Sequence, residues 1–348
     1  MLRRTFIKTI TAAWVATLIG GQAFAMDFDG PTSGPSAADA KTIVVLAADL
    51  KNGGILGVTN GVEEAAEKMG WTVRVLDGAG SVQGRTGAFG QAMALKPDGI
   101  IINGFDAVEQ QAALDQVAAA SIPMVAWHSG PKIGCDAPGG IFANVSTDAM
   151  AVSEEAAKWA VDDAGGKPGV VIFTDSTYQI AIDKADRIKE TVEAMGGEVL
   201  EYVDTPIADT STRMGPLTTS LLQKYGAKWT HALAINDIYF DFMGPALAAA
   251  GIKGDGSPKA VAAGDGSESA FQRIKTGQYQ SITVAEPLNL QGWQLVDELN
   301  RAIQGEECSG YVTAPAVVNV EGAKAMGDSP FFDPDNGYRE AYGKIWGK

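Results

Sequence analysis

The sequence predicts an α/β protein of two lobes, each a doubly wound parallel sheet with helices on both faces. Short, near-continuously apolar strands alternate with amphipathic helices, as expected of strands covered on both faces. The alternation restarts after Asp148, and 348 residues exceed what one hydrophobic core usually supports.

In chain order, 43–46 reads as a buried strand and 54–69 as a helix stopped by Gly70. Strand 72–76, helix 83–95, strand 99–102, helix 108–120 and strand 123–127 follow. In the second half, helix 152–163 leads to strand 170–173, helix 181–195, strand 199–203, helix 212–225 and strand 231–235. Helix 239–250 and strands 260–263 and 281–285 complete the pattern. Residues 64–73 echo 190–199: a helix, a glycine stop at Gly70 or Gly196, then a strand. The echo fits two related halves, although any helix-glycine-strand unit gives a similar pattern.

Arg3 and Arg4 precede the uncharged run 9–21, and Ala23-Phe24-Ala25 forms a small-residue cleavage site. The run falls short of the about 20 apolar residues that span a bilayer. Residues 1–25 are therefore expected to be a signal peptide, with the mature chain exported to the periplasm and not inserted in the membrane. Arg3-Arg4-Thr5-Phe6-Ile7-Lys8 fits either the twin-arginine or the Sec route. No cysteine at the cleavage site offers a lipid anchor. Residues 26–41, rich in Asp, Pro, Gly, Ser and Ala, are expected to be a disordered leader.

Without Arg3, Arg4 and Lys8 the chain carries 24 basic against 42 acidic residues, a net charge of −18. No Lys and Arg cluster suits a phosphate backbone and no basic amphipathic segment suits a membrane surface, so nucleic acid is not an expected partner. Cys135 and Cys308 lie in glycine-rich loops and are either a disulfide or two small buried hydrophobes. His128 and His231 fall at separate strands without zinc-ligand spacing. There is no Gly-x-Ser-x-Gly elbow. After Gly78-Ala79-Gly80 the third glycine, Gly84, comes one residue late for dinucleotide binding. No catalytic residue, cofactor or metal is expected.

In open parallel sheets, ligands bind beyond the carboxyl ends of the strands. The sequence places Asp49-Leu50-Lys51-Asn52, Trp127-His128-Ser129, Thr174-Asp175-Ser176, Asn236-Asp237, Asp265-Gly266 and Glu286-Pro287 there. Such groups suit a neutral sugar or polyol: rings cover its C–H face, while Asp, Asn and Glu exchange hydrogen bonds with its hydroxyls. Each also has a plainer role. Asn236 can be an N-cap, Asp265 a turn residue, His128 a loop histidine and Trp127 packing. Tyr178, Gln179 and Tyr239, just past strand ends, are further candidates.

Thr42-Ile43-Val44-Val45-Leu46 with Asn52, Ile122-Pro123-Met124-Val125, Ala234-Ile235-Asn236-Asp237 and Ala263-Gly264-Asp265-Gly266 occur in this order within 42–305. The set resembles the ribose-binding type of periplasmic sugar receptor that serves ABC transporters. The resemblance implies a type I periplasmic binding fold whose lobes are joined by three crossovers, near Asp148, near Glu286 and near 308–311. One lobe is then 42–148 plus 287–308, the other 149–286 plus 309–348. It also implies that Asn52, Asn236 and Asp265 face the ligand, and that Glu286 stands where such receptors often carry Gln.

The departures from that family are informative. Gly54 and Ile55 replace the stacking aromatics usual after the first-strand Asn, and His128-Ser129 replaces an Asp-Arg pair. Ile182 replaces a further Arg, with Lys184 nearby. With those arginines absent the cleft is expected to be acidic and to disfavour anions. A neutral sugar or sugar alcohol is the expected ligand, an amine or nucleoside the alternative. The expected role is non-catalytic: a monomer whose lobes close on ligand and whose closed form an ABC permease recognises. The same pocket could instead serve a receptor that presents its closed form to a chemoreceptor or sensor kinase. Phe331, Phe332, Tyr338, Tyr342 and Trp346, in the extension beyond the family core, are expected to pack on a lobe.

Overall fold

The computed structural model describes residues 28–130 and 132–348, and the expected signal peptide lies outside the described residues. The first lobe is built from β1 (Thr42–Ala47), α1 (Gly53–Met69), β2 (Thr72–Asp77), α2 (Val82–Leu95), β3 (Gly99–Asn103), α3 (Gln111–Ala119), β4 (Met124–Trp127), β5 (Gly134–Ala137) and β6 (Ile141–Val145). Its sheet has the order β2-β1-β3-β4-β6-β5, parallel except for β5.

The second lobe contains α4 (Ala149–Asp163), β7 (Gly169–Thr174), α5 (Gln179–Ala194), β8 (Glu198–Asp204), α6 (Thr210–Tyr225), β9 (His231–Ala234), α7 (Gly244–Ala249), β10 (Lys259–Ala262), α8 (Glu268–Thr276) and β11 (Gln280–Ala285). The chain then crosses back. Helix α9 (Leu288–Gln304) packs along α1, and β12 (Ala316–Val318) joins the second sheet as its antiparallel edge. That sheet has the order β12-β11-β10-β9-β7-β8. Helix α10 (Val320–Ala325) lies on α8, and α11 (Tyr338–Trp346) returns to α9.

Inner strands are buried on both faces: Ile43, Val44 and Val45 in one lobe, and Val170, Val171 and Ile172 in the other, are wholly inaccessible. Each such side chain contributes about 1.5–3 kcal/mol relative to exposure. The flanking strands β2 and β8 are less buried. Gly70, with φ 78°, ends α1 in the left-handed region and leads to β2, while Gly196 separates α5 from β8. The echoed segments therefore occupy the same place in the two sheets.

Several elements differ from expectation. The hairpin β5–β6 and the helices α8 and α9 were not among the expected elements. The helix expected over 239–250 divides into a 3₁₀ turn at 237–241 and α7, which restarts at Gly244-Pro245, where proline lacks a donor. Residues 28–41 form no helix or strand but are tied down rather than disordered. Asn300 Nδ2 donates to Pro35 O at 3.2 Å, Arg301 Nη2 to Ser33 O at 2.6 Å and Trp71 Nε1 to Ala38 O at 3.1 Å. Within 309–348, β12 and α10 stay with the second lobe, but the segment that follows returns to the first. Phe331, Tyr338, Tyr342 and Trp346 enter the first lobe's core, and only Phe332 packs with the α8/α10 cluster. Apolar area decides this: Trp346 stacks on Trp293 with centroids 5.3 Å apart, and its Nε1 donates to Asp297 Oδ1 at 2.8 Å.

Cys135 on β5 and Cys308 beyond α9 form a disulfide across 173 residues of sequence, with Cα atoms 5.8 Å apart. It fastens the chain's last crossing to the first lobe. Replacing both cysteines by serine is expected to lower the unfolding free energy by about 2–4 kcal/mol, read from denaturant midpoints. Trp346→Ala, by emptying the site against Trp293, is expected to cost about 3–5 kcal/mol; melting unchanged from the parent would show that α11 is not part of the first core.

Candidate functional site

The carboxyl ends of the parallel strands in both sheets converge on a cavity of about 190 Å³ between the lobes. Asn52, Trp127, His128, Tyr178, Asn236 and Asp265 line it; Ser129, Gln179, Tyr239 and Glu286 do not. Asn52 caps α1, its Oδ1 accepting from Gly54 N at 2.9 Å and Ile55 N at 3.3 Å. Asn236 Oδ1 accepts from Ile238 N at 3.3 Å. The plainer capping role and the cleft position thus coexist. With each oxygen engaged, the amide NH₂ enters none of the described hydrogen bonds and is left as the donor of a residue lining the cleft.

Asp265 follows β10 and is held from beneath. The buried Asp237 carboxylate accepts from Gly266 N at 2.8 Å, Gln280 Nε2 at 2.6 Å and Thr283 Oγ1 at 3.3 Å, fixing the loop. Asp265 is 7% exposed, and its carboxylate takes part in no described hydrogen bond. Burial pushes its pKa up to about 6, against the pull of Lys184 and His128. It abuts the start of α1 in the other lobe: a Cβ on Gly54 would stand 2.4 Å from Asp265 Oδ2, and one on Gly53 2.5 Å from Ser267 Cβ. These two glycines let the lobes touch and bring a carboxylate to a helix N-terminus.

His128 stacks on Trp127, with centroids 3.8 Å apart and planes 8° from parallel. Its Nε2 lies 3.1 Å from Glu286 Oε2. Contrary to expectation, Glu286 does not face the cleft; it is 1% exposed at the hinge behind His128. Its Oε2 also accepts from Gln291 Nε2 at 3.0 Å and Thr147 N at 3.4 Å. Burial pushes this carboxyl's pKa up, but the charges of His128 and Lys184 and the Gln291 amide hold it down to about 2. His128, Asp265 and Glu286 bring one donor atom each within 4.8 Å of one another. The charge of Lys184 acts on both carboxylates there.

The other three candidates are drawn away by partners. Ser129 Oγ donates to Trp127 O at 3.1 Å inside the first lobe. Gln179, on the exposed face of α5, donates to Asp183 at 2.8 Å. Tyr239 is fully buried, its hydroxyl donating to Thr205 O at 3.0 Å.

Two cations line the cleft: Arg85 on α2, which the sequence reading did not single out, and Lys184 on α5, which it noted only as lying near a replaced arginine. The expectation of a cleft without arginine is thus corrected. Both residues sit on otherwise apolar helical stripes, Arg85 with Ala88, Phe89 and Ala92, and Lys184 with Ala181, Ala185 and Ile188. A charge on a buried stripe is the signal that could have found them. Against these two stand Asp49, Glu109, Asp175 and Asp265, so the lining remains net acidic.

Residues 43–307 match the family model described as a periplasmic binding protein domain. No curated protein matches the sequence. Among solved structures, an ABC sugar transporter subunit from Rhodobacter sphaeroides 2.4.1 is 20% identical, covering 81% of this chain and 98% of its own, with a TM-score of 0.67. An ABC transporter solute binding protein from Agrobacterium vitis with bound allitol is 18% identical, covering 82% and 98%, with a TM-score of 0.69. The binding protein of the arabinose ABC transporter from Shewanella sp. ANA-3, bound to α- and β-L-arabinofuranose, is 17% identical, covering 82% and 94%, with a TM-score of 0.71. The family match, on a two-lobed fold with its cleft between the sheets, shows that the chain belongs to the periplasmic binding protein domain family, whose members bind ligands and are not enzymes.

Proposed function

We propose that the chain, exported to the periplasm as a monomer, captures a neutral sugar or sugar alcohol between its lobes and delivers it to an ABC permease. One observation carries this reading. Hydrogen-bonding side chains from opposite lobes, Asn52 and His128 from one and Asn236, Lys184 and Asp265 from the other, converge on one small cavity. Ile55, Trp127 and Ile235 supply its apolar walls. Free amide donors beside a carboxylate acceptor suit hydroxyls, which both donate and accept. The net acidic lining disfavours an anion. The allitol and arabinofuranose named for two similar structures support the ligand class.

The mechanism is a population shift. Only with the lobes together can Asn52 and Asp265 contact one ligand, so ligand favours the closed form by the energy of the contacts it gains there. A permease that recognises the closed shape then receives loaded protein.

Calorimetric titration against pentoses, hexoses and polyols is expected to give heat with at least one; heat only with an amine or nucleoside would overturn the ligand class. Asp265→Asn is expected to weaken binding of that ligand by about 10- to 100-fold, as loss of a hydrogen bond to a charged group does.

The same residue sets a pH dependence. A hydroxyl donating to the ionised carboxylate lowers the Asp265 pKa from about 6 on binding, so binding releases a proton. Affinity is therefore expected to rise with pH through that value and to fall below it. Asp265→Asn should flatten the profile; an unchanged profile in that variant would assign the titration elsewhere.

A further inference from the structure

The mouth of the cleft has apolar walls to which the proposed function gives no role. The crossings leave the first sheet on its β6 side and the second on its β11/β12 side, so the loops after the far edge strands, β2 and β8, are the lips of the mouth. The lips nearly touch: a Cβ on Gly80 would stand 3.6 Å from Ala208 Cβ. Just inside them, Val82 from the first lobe and Ile180, Pro206 and Ile207 from the second line the same cavity as Asp265. Val82 is 54% exposed and the other three are half-buried, so this apolar surface is open rather than packed away.

The polar side chains at this end are turned onto one another. Arg85 donates to Glu109 Oε2 at 2.6 Å and also to the Tyr178 hydroxyl. The Asp175 carboxylate accepts from Thr177 N at 2.9 Å and Ile207 N at 2.8 Å. Asp49 Oδ1 accepts from Lys51 N at 3.0 Å, and its Oδ2 is backed by Gly80, 2.8 Å from where a Cβ there would stand. Around Asp265, by contrast, the carboxylate and the amide groups of Asn52 and Asn236 keep hydrogen-bonding capacity to offer. The cavity therefore suits hydroxyls at one end and not at the other. A ligand hydroxyl facing the lips would leave water without gaining a partner, which is costly, whereas a methyl group covered there is stabilising.

We propose that the ligand is a methyl-bearing sugar, a 6-deoxyhexose or a methyl glycoside. Its hydroxylated end lies on Asp265, Asn52 and Asn236, and its methyl group lies against Val82, Ile180 and Ile207. The near contact of Gly80 with Ala208 bounds that end and suits a group as small as methyl. The inference rests on the proposed neutral, hydroxylated ligand and narrows it.

The test is calorimetric titration of the full mature chain with paired probes that differ only in that group: D-fucose against D-galactose, L-fucose against L-galactose, L-rhamnose against L-mannose, and methyl β-D-glucoside against D-glucose. In at least one pair the methyl-bearing member is expected to bind about tenfold or more tightly. Val82→Thr, which puts a hydroxyl in place of a methyl on an exposed residue, should cut that ratio about threefold or more, and Ile207→Thr should do the same. Parent sugars that bind as tightly as their methyl-bearing partners, or a ratio that both variants leave unchanged, would overturn the apolar subsite alone. Equal weakening of both members of a pair would do so too, because it would make the lips a seal between the lobes. Heat from none of the eight probes would overturn the methyl-bearing class; the hydroxylated-ligand reading then stands if an unsubstituted pentose or a polyol binds, and falls otherwise.

Discussion

One buried carboxylate ties together the segments that run between the lobes. Glu286 sits on the second crossing between the lobes, and its Oε2 is met by Thr147 N from the first crossing and by His128 Nε2 from the cleft. Gln291 donates to it and to Thr313 Oγ1, 2.9 Å away on the third crossing, and accepts from Trp127 Nε1 at 2.8 Å. A carboxylate this buried is tolerable only with such partners. The three crossings thus meet in one polar knot whose outer face, His128 stacked on Trp127, is part of the cleft wall. The cleft wall and the crossings between the lobes thus share the same side chains.

Away from that knot, each lobe is braced internally. Residues 28–41, helix α11 and the Cys135–Cys308 disulfide all brace the first lobe. In the second lobe, the Asp237 carboxylate fixes the Asp265 loop and Asp175 binds Ile207 N at 2.8 Å. Two stiff bodies with a polar hinge can change their separation without repacking either core. Gly53 and Gly54 set how near they come, since side chains there would meet Ser267 and Asp265.

Much of this was legible in the sequence, for physical reasons. Buried parallel strands are nearly uniform in hydrophobicity, so β1, β3, β4, β7, β9, β10 and β11 stood out, and with them the residues at their carboxyl ends. Short glycine-bearing strands such as β5 carry too few periodic residues to read, and the Gly244-Pro245 break in α7 was absorbed into one helix. Position beyond a strand end does not fix direction: Ser129 and Gln179 adjoin His128 and Tyr178 yet turn to partners in their own lobe. Glu286 was placed at the cleft by its position after a strand and by the family resemblance, and it lies behind His128 instead. Arg85 was overlooked and Lys184 only noted beside a missing arginine because the search followed strand ends, whereas both reach the cleft from buried helical stripes.

The central claim is that a ligand held from both sides draws the lobes together about the Glu286 knot. Spin labels at residues 108 and 212, exposed positions on the first and second lobes, report the separation directly. Saturation with the sugar or polyol that gives heat in titration should shift their distance distribution to a shorter, narrower one. Full occupancy with an unchanged distribution would contradict the account.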